Sequence, residues 1–235
     1  MATKKKMLQA AAGSATGGAA LDITDVFSTY LYDGTGSTQT ITNDIDLAGE
    51  GGLVWAKSRG QAYNHHLLDT ENGATYYLKS NSTDYIRTSS NTITSFNSDG
   101  FTIGGGSQMN DTNDPMASWT FRKAPKFFDV VTWTGDGTTN REITHSLNSE
   151  VGFIAIKRTD ASANWTCRHR STGGDSVLVL NNSNASFSSG TRTLTSDYFT
   201  VGNGDTLETN QSNGTYVAYL FAHNDGDGEF GPDGD

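Results

Sequence analysis

Two stretches of this chain, roughly 100 residues apart, carry the same short motifs in the same order, and that duplication limits the fold more than any other feature. Tyr32-Asp33-Gly34-Thr35-Gly36 corresponds to Trp133-Thr134-Gly135-Asp136-Gly137, and Ile41-Thr42 to Ile143-Thr144. Gly52-Leu53-Val54-Trp55-Ala56-Lys57 corresponds to Gly152-Phe153-Ile154-Ala155-Ile156-Lys157. Asp99-Gly100-Phe101-Thr102-Ile103-Gly104 corresponds to Asp197-Tyr198-Phe199-Thr200-Val201-Gly202, and Ala117-Ser118-Trp119-Thr120-Phe121 to Val217-Ala218-Tyr219-Leu220-Phe221. Solenoid repeats run about 20–50 residues, so an offset of this size marks a duplicated sandwich-sized unit.

Within each copy the pattern is that of strands. Phe128-Asp129-Val130-Val131-Thr132-Trp133 mixes apolar and polar positions as a half-buried strand does, and the apolar run Gly152 to Ile156 suits a central strand covered on both faces. Ser176 to Leu180, Tyr198 to Val201 and Thr215 to Phe221 follow as further strands, separated by turn sequences such as Gly173-Gly174-Asp175 and Ser212-Asn213-Gly214. Leu21 to Thr29 is expected to be the first strand of the first copy. No long helical period occurs. The fold class expected is all-β: two tandem antiparallel β-sandwich, jelly-roll-like modules behind a short N-terminal anchoring segment. The divisions are a tail or docking segment at 1–20, a first repeat at 21–124, a second at 125–224 and an acidic Gly/Asp linker at 225–235. Pro125 forces its predecessor into extended backbone and cannot donate to a ladder, which fits a linker between copies in contact.

Composition agrees. Only 18% of residues are charged while 10% are aromatic, which suits short strands and tight turns better than disorder. A net charge of −10 opposes a nucleic-acid surface, which requires clustered Lys and Arg. The single cysteine, Cys167, excludes an internal disulfide. No apolar run reaches the length of a membrane span, and Met7 to Ala12, after Lys4-Lys5-Lys6, is too short and polar for a secretory signal. Synthesis in a cytoplasm, without membrane insertion, is the expectation.

The search for reactive constellations yields little. His65 and His66 are adjacent and on a strand face opposite ways, so they cannot share a metal. Cys167 and His169 lie two apart but lack an orienting partner, and a buried free thiol is the plainer reading. Asp69 and Glu71 are the nearest thing to a glycosidase pair, and the second copy has no counterpart. No catalytic residue is assigned, and no cofactor. Asp225, Asp227 and Glu229 alternate in a Gly-rich run as weak Ca²⁺ candidates, set against a solvated acidic linker. Tyr77, Tyr85 and Trp165 are candidate glycan contacts, set against ordinary core aromatics.

The recurring string of a Gly-rich hairpin, an Ile-Thr strand, a Gly-apolar-Lys strand, a Phe-Thr-apolar-Gly strand and a closing aromatic strand resembles the modular tail-fibre proteins of marine phages, especially cyanophages. It covers roughly residues 22–224. The resemblance implies a non-enzymatic virion structural protein of the phage tail that supports host adsorption. It implies a homotrimer and docking through Lys4, Lys5, Lys6, Met7 and Leu8 onto a tail adaptor or nozzle protein. Residues 1–235 would then be the virion-proximal portion of a longer fibre. The rival expectation is a carbohydrate-binding module gripping host-surface polysaccharide.

Overall fold

The computed structural model describes residues 21–223 except 107, 174, 191 and 203–205; Lys4 to Leu8, Asp225, Asp227 and Glu229 therefore lie outside the described residues. The first copy contains β1 (Phe27–Asp33), β2 (Gln39–Thr42), β3 (Gly52–Ser58), β4 (His66–Asp69), β5 (Tyr76–Tyr77), β6 (Arg87–Thr88), β7 (Ile93–Asn97), β8 (Gly100–Ile103) and β9 (Pro115–Arg122). The second contains β10 (Phe128–Thr134), β11 (Arg141–Thr144), β12 (Val151–Arg158), β13 (Thr166–His169), β14 (Ser176–Val179), β15 (Phe187–Ser188), β16 (Tyr198–Val201) and β17 (Thr215–Ala222). Among the described residues helix is confined to four-residue turns, α1 (Ile23–Val26), α2 (Leu47–Glu50) and α3 (Thr206–Thr209), with a 3₁₀ turn at Arg170–Thr172. None is long or apolar enough to cross a membrane.

The protein is all-β and antiparallel. One large sheet of the first copy runs β1-β9-β3-β4, and the second copy repeats that order as β10-β17-β12-β13, continued by β14 and β15. Register repeats as well as order. Val54 faces Thr120 and Leu68, and Ile154 faces Leu220 and Arg168. Ile41 pairs with Phe101 as Ile143 pairs with Phe199. The smaller sheet is β2-β8-β7 in the first copy and β11-β16 in the second, where β7 is reduced to a single Leu194–Phe199 bridge.

Side-chain alternation on the large sheets explains their apolar runs. Val54 and Ala56 point into the first sandwich, with Ile41, Phe101 and Met116. Ile154, Ile156, Ala218 and Leu220 fill the second, with Trp133 and Phe199. The intervening residues, Leu53, Leu67, Phe128, Val130, Ala155, Val217 and Tyr219, meet in a third core shared by the two copies. The large sheets thus stack back to back with small sheets outside, and β12, paired on both edges, is covered on both faces as its sequence indicates. A free module of either copy would expose that shared face to water.

One local expectation is corrected. Leu21 to Thr29 does not begin as a strand: Asp22 accepts a hydrogen bond from the Thr24 amide at 2.9 Å and caps α1, so β1 starts only at Phe27. Pro125 lies in the short connection between the copies, a tight turn in which Ala124 exchanges both backbone hydrogen bonds with Phe128. With no length to spare, the turn delivers β10 against the back of β9.

Candidate functional site

The junction between the copies collects several of the chemistry-bearing side chains that the sequence singles out, Asp69, Trp165 and Cys167 among them. Asp69 ends β4 and is buried. Its carboxylate accepts from the Asn72 amide at 2.8 Å, from Asn72 Nδ2 at 3.0 and 2.8 Å, and from the Tyr219 hydroxyl at 2.8 Å. Burial raises its pKa, with those donors opposing. Glu71 turns away and receives Lys123 Nζ at 2.7 Å, while Lys123 also lies 3.4 Å from Asp129 at the start of β10. Burial pulls Lys123 down, but Glu71 and Asp129 hold it above its ordinary value overall. Asp69 and Glu71 therefore serve separate structural contacts instead of flanking one cleft.

Lys157, which the repeat motif carries in both copies, is fully buried. Its ammonium donates to the carbonyls of Ala163 at 2.6 Å and of Thr83 at 3.0 Å, the second belonging to the first copy. Burial pulls its pKa down to about 8. Thr83 also accepts the Ala163 amide, and the Ile86 amide donates to Thr159, so main chain as well as side chain crosses the junction. The equivalent Lys57 stays within its own copy, donating to the carbonyls of Ser58 and Gln61.

The candidate aromatic contacts separate. Trp165 is fully buried in the shared core, packs 5.8 Å from Tyr219 and donates its indole N–H to the Lys79 carbonyl at 2.8 Å. It has no face for a sugar, because its partners come from both copies. Tyr77 packs against the first core and His66, whereas its neighbour Tyr76 points out. Tyr85 is exposed, with the Arg87 guanidinium 4.0 Å from its ring centroid. Cys167 is buried in the shared core and its thiol is pushed up to about 12, while His169 lies exposed and accepts from the Ser171 amide. Among the described residues no group of His, Cys, Asp and Glu is placed to hold a metal.

Residues that sequence reading passed over hold each copy in shape. Asn110 is fully buried and bonds the Ser37 and Gly104 carbonyls and the Thr35 amide; Asn210 does the same for the Thr138 carbonyl and the Asp136 amide. Asn81 bonds Asn64 and the His65 amide, and Asn181 bonds Asn164 and the Trp165 amide. Their signal was identity at one offset inside otherwise unremarkable polar loops.

The family described as Domain of unknown function (DUF7483) matches residues 22–232 in one span that takes in both copies. No curated protein and no solved structure matches the chain.

Proposed function

The chain belongs to the DUF7483 family, a domain of unknown function, and from its own residues we propose that it is a non-catalytic structural component of a phage tail fibre. The observation that carries this reading is the shared core. Two copies joined through Leu53, Leu67, Phe128, Tyr219 and Trp165 make one stiff four-layer body, suited to transmitting force. The carboxylates, thiol and buried lysine singled out above all serve packing contacts, which also favours a scaffold. The phage assignment rests on the resemblance of the repeated strand motifs. In this reading residues 1–20 dock the body to a tail adaptor or nozzle protein, three copies associate, and the assembly supports host adsorption from the virion.

The test is copurification of the full chain with tail proteins from particles, repeated with residues 1–20 deleted, together with the mass of the isolated protein. Loss of tail proteins on deletion and a trimeric mass support the proposal. Polysaccharide cleavage that Asp69→Asn abolishes would overturn it. The alternative, a carbohydrate-binding module, keeps the exposed Tyr76 and Tyr85 as its surface; saturable glycan binding lost in Tyr85→Ala would favour it.

A further inference from the structure

A recess of about 290 Å³ lies in the first copy between His66 at the start of β4, Tyr77 at the end of β5 and the turn that joins β6 to β7. Lys79, Asn91 and Gln108 also line it. His66 is only 4% exposed, and its ring packs 5.1 Å from that of Tyr77. Its Nδ1 lies 3.1 Å from the Asn64 carbonyl oxygen. A carbonyl can only accept, so Nδ1 carries the proton. Burial pulls the ring's pKa down to about 4, which keeps it neutral near neutral pH. A neutral imidazole holds one proton, so Nε2 is a bare acceptor, and it has no partner among the described residues. Leaving a buried acceptor unpaired is costly.

The second copy shows that packing does not ask for these side chains. His66 is opposite Ala56 as Thr166 is opposite Ile156, and Leu78 faces Leu67 as Leu178 faces Cys167. Tyr77 therefore corresponds to Val177 and Lys79 to Val179. The first copy has put an imidazole, a phenol ring and an ammonium where its duplicate holds a hydroxyl and two valines. The ammonium brings no net charge to the recess, because Lys79 Nζ pairs with Asp84 at 3.0 Å. Asn91 and Gln108 add carboxamides, each with donors and an acceptor.

We propose that this recess binds one neutral sugar ring, with a ring hydroxyl donating to His66 Nε2 and the sugar's C–H face against Tyr77. The bare acceptor calls for a ligand that brings a proton donor, and the balanced charge favours neither an anion nor a cation. The negative face of an aromatic ring suits the weakly positive C–H groups of a sugar. Lys79 spends one of its three N–H donors on Asp84 and keeps others for ligand oxygens. The volume sits at the lower edge of the roughly 300–1,000 Å³ of pockets that enclose drug-sized ligands, so it takes one ring and not an extended chain. This assignment goes beyond the fibre reading without resting on it, and it does not involve the exposed Tyr76 and Tyr85.

The experiment is an NMR titration of the full chain, carrying nitrogen-labelled histidine, with glucose, galactose, N-acetylglucosamine and glucuronate. In the free protein Nδ1 of His66 should be protonated and Nε2 bare. At least one neutral sugar should bind saturably and shift the Nε2 resonance, with glucuronate no tighter than the best of them. His66→Thr and Tyr77→Val install side chains that the second copy already accommodates, so both should fold, and each should weaken binding at least tenfold. Asn91→Ala, at an exposed turn position, should weaken it severalfold. Tyr85→Ala should leave it unchanged. A protonated Nε2 in the free protein, absence of saturable binding by every neutral sugar, or tighter binding of glucuronate would overturn the proposal. Binding lost in Tyr85→Ala but kept in His66→Thr would overturn it too, and would favour the exposed tyrosine surface instead.

Discussion

The hydroxyl of Tyr219 donates to Oδ2 of Asp69 at 2.8 Å, tying the last strand of the second copy to the edge strand of the first. The bond crosses the shared core, where burial, followed by the charge of Asp69, raises the Tyr219 pKa well above its ordinary value. Tyr219→Phe removes only that donor and keeps the ring. Hydrogen bonds to a charged group contribute about 1.5–3 kcal/mol, and a loss of that size in urea unfolding is expected. Burial has raised the folded pKa of Asp69, so its favourable contribution is complete below the unfolded value and is lost as pH rises through the folded one. Removing a donor raises the folded pKa further, so the deficit should grow from acid to neutral pH. A deficit under about 0.5 kcal/mol at neutral pH would mean that the bond carries no net weight.

Cys167 provides a probe of the same core. With the thiol buried and pushed up to about 12, a thiol reagent at pH 8 should find almost no thiolate in the folded protein. Denaturation should release one reactive thiol per chain, since the sequence has one cysteine. Labelling of the native protein should follow the rate of structural opening. Reaction at the speed of an unfolded control would show that the copies part readily.

His66 sets an acid limit on stability. Burial lowers its pKa from 6.5 to about 4, so the unfolded chain takes up a proton below 6.5 while the folded chain does not until about 4. The stabilisation is complete above 6.5 and is lost as pH falls from there toward 4. Thr166 holds the equivalent position in the second copy, pairing with Ile156 as His66 pairs with Ala56. His66→Thr should flatten the fall of unfolding free energy between pH 6.5 and 4. His65 and His145, also lowered by burial, remain in both proteins and cancel from the difference. Parallel curves for the two proteins would reject the assignment.

The duplication was legible because strand order and register descend from motifs that survive in both halves. Gly52 to Lys57 and Gly152 to Lys157 became central strands of matching sheets. What pattern could not reveal was which face of each sheet met the other copy. Trp165 reads from sequence as a core residue ahead of a sugar platform, but the choice is settled only by a partner sheet contributed by residues such as Leu53 and Leu67. Capping was missed at Asp22, where one side-chain bond outweighed a strand-like pattern. The exchange of Leu68 for Arg168 follows from the repeat offset, and the paired strands place the two residues at the same register.

Gly34 and Gly135 test whether the repeat records a backbone constraint. A Cβ on Gly34 would lie 2.0 Å from the Asp111 carbonyl oxygen, and one on Gly135 2.1 Å from that of Gln211. Neither neighbour can give way easily. The Gly34 amide bonds the Asp114 carbonyl and the Gly34 carbonyl receives the Asn113 amide, while Gly135 bonds Gly214 and Asn213 in the same way. Asn110 and Asn210 pin the same loops from inside. Overpacking typically costs about 1–3 kcal/mol and sometimes more; against pinned main chain, Gly34→Ala and Gly135→Ala should each reach or exceed the upper end. Gly73→Ala is the control: its φ is +91°, but nothing lies within 4 Å of the added carbon, so only the backbone penalty of about 1–2 kcal/mol applies. The midpoint of urea unfolding should therefore drop further for the first two variants than for the third, with the slope unchanged. Equal losses at all three positions would mean that these glycines recur for turn conformation and not for close approach.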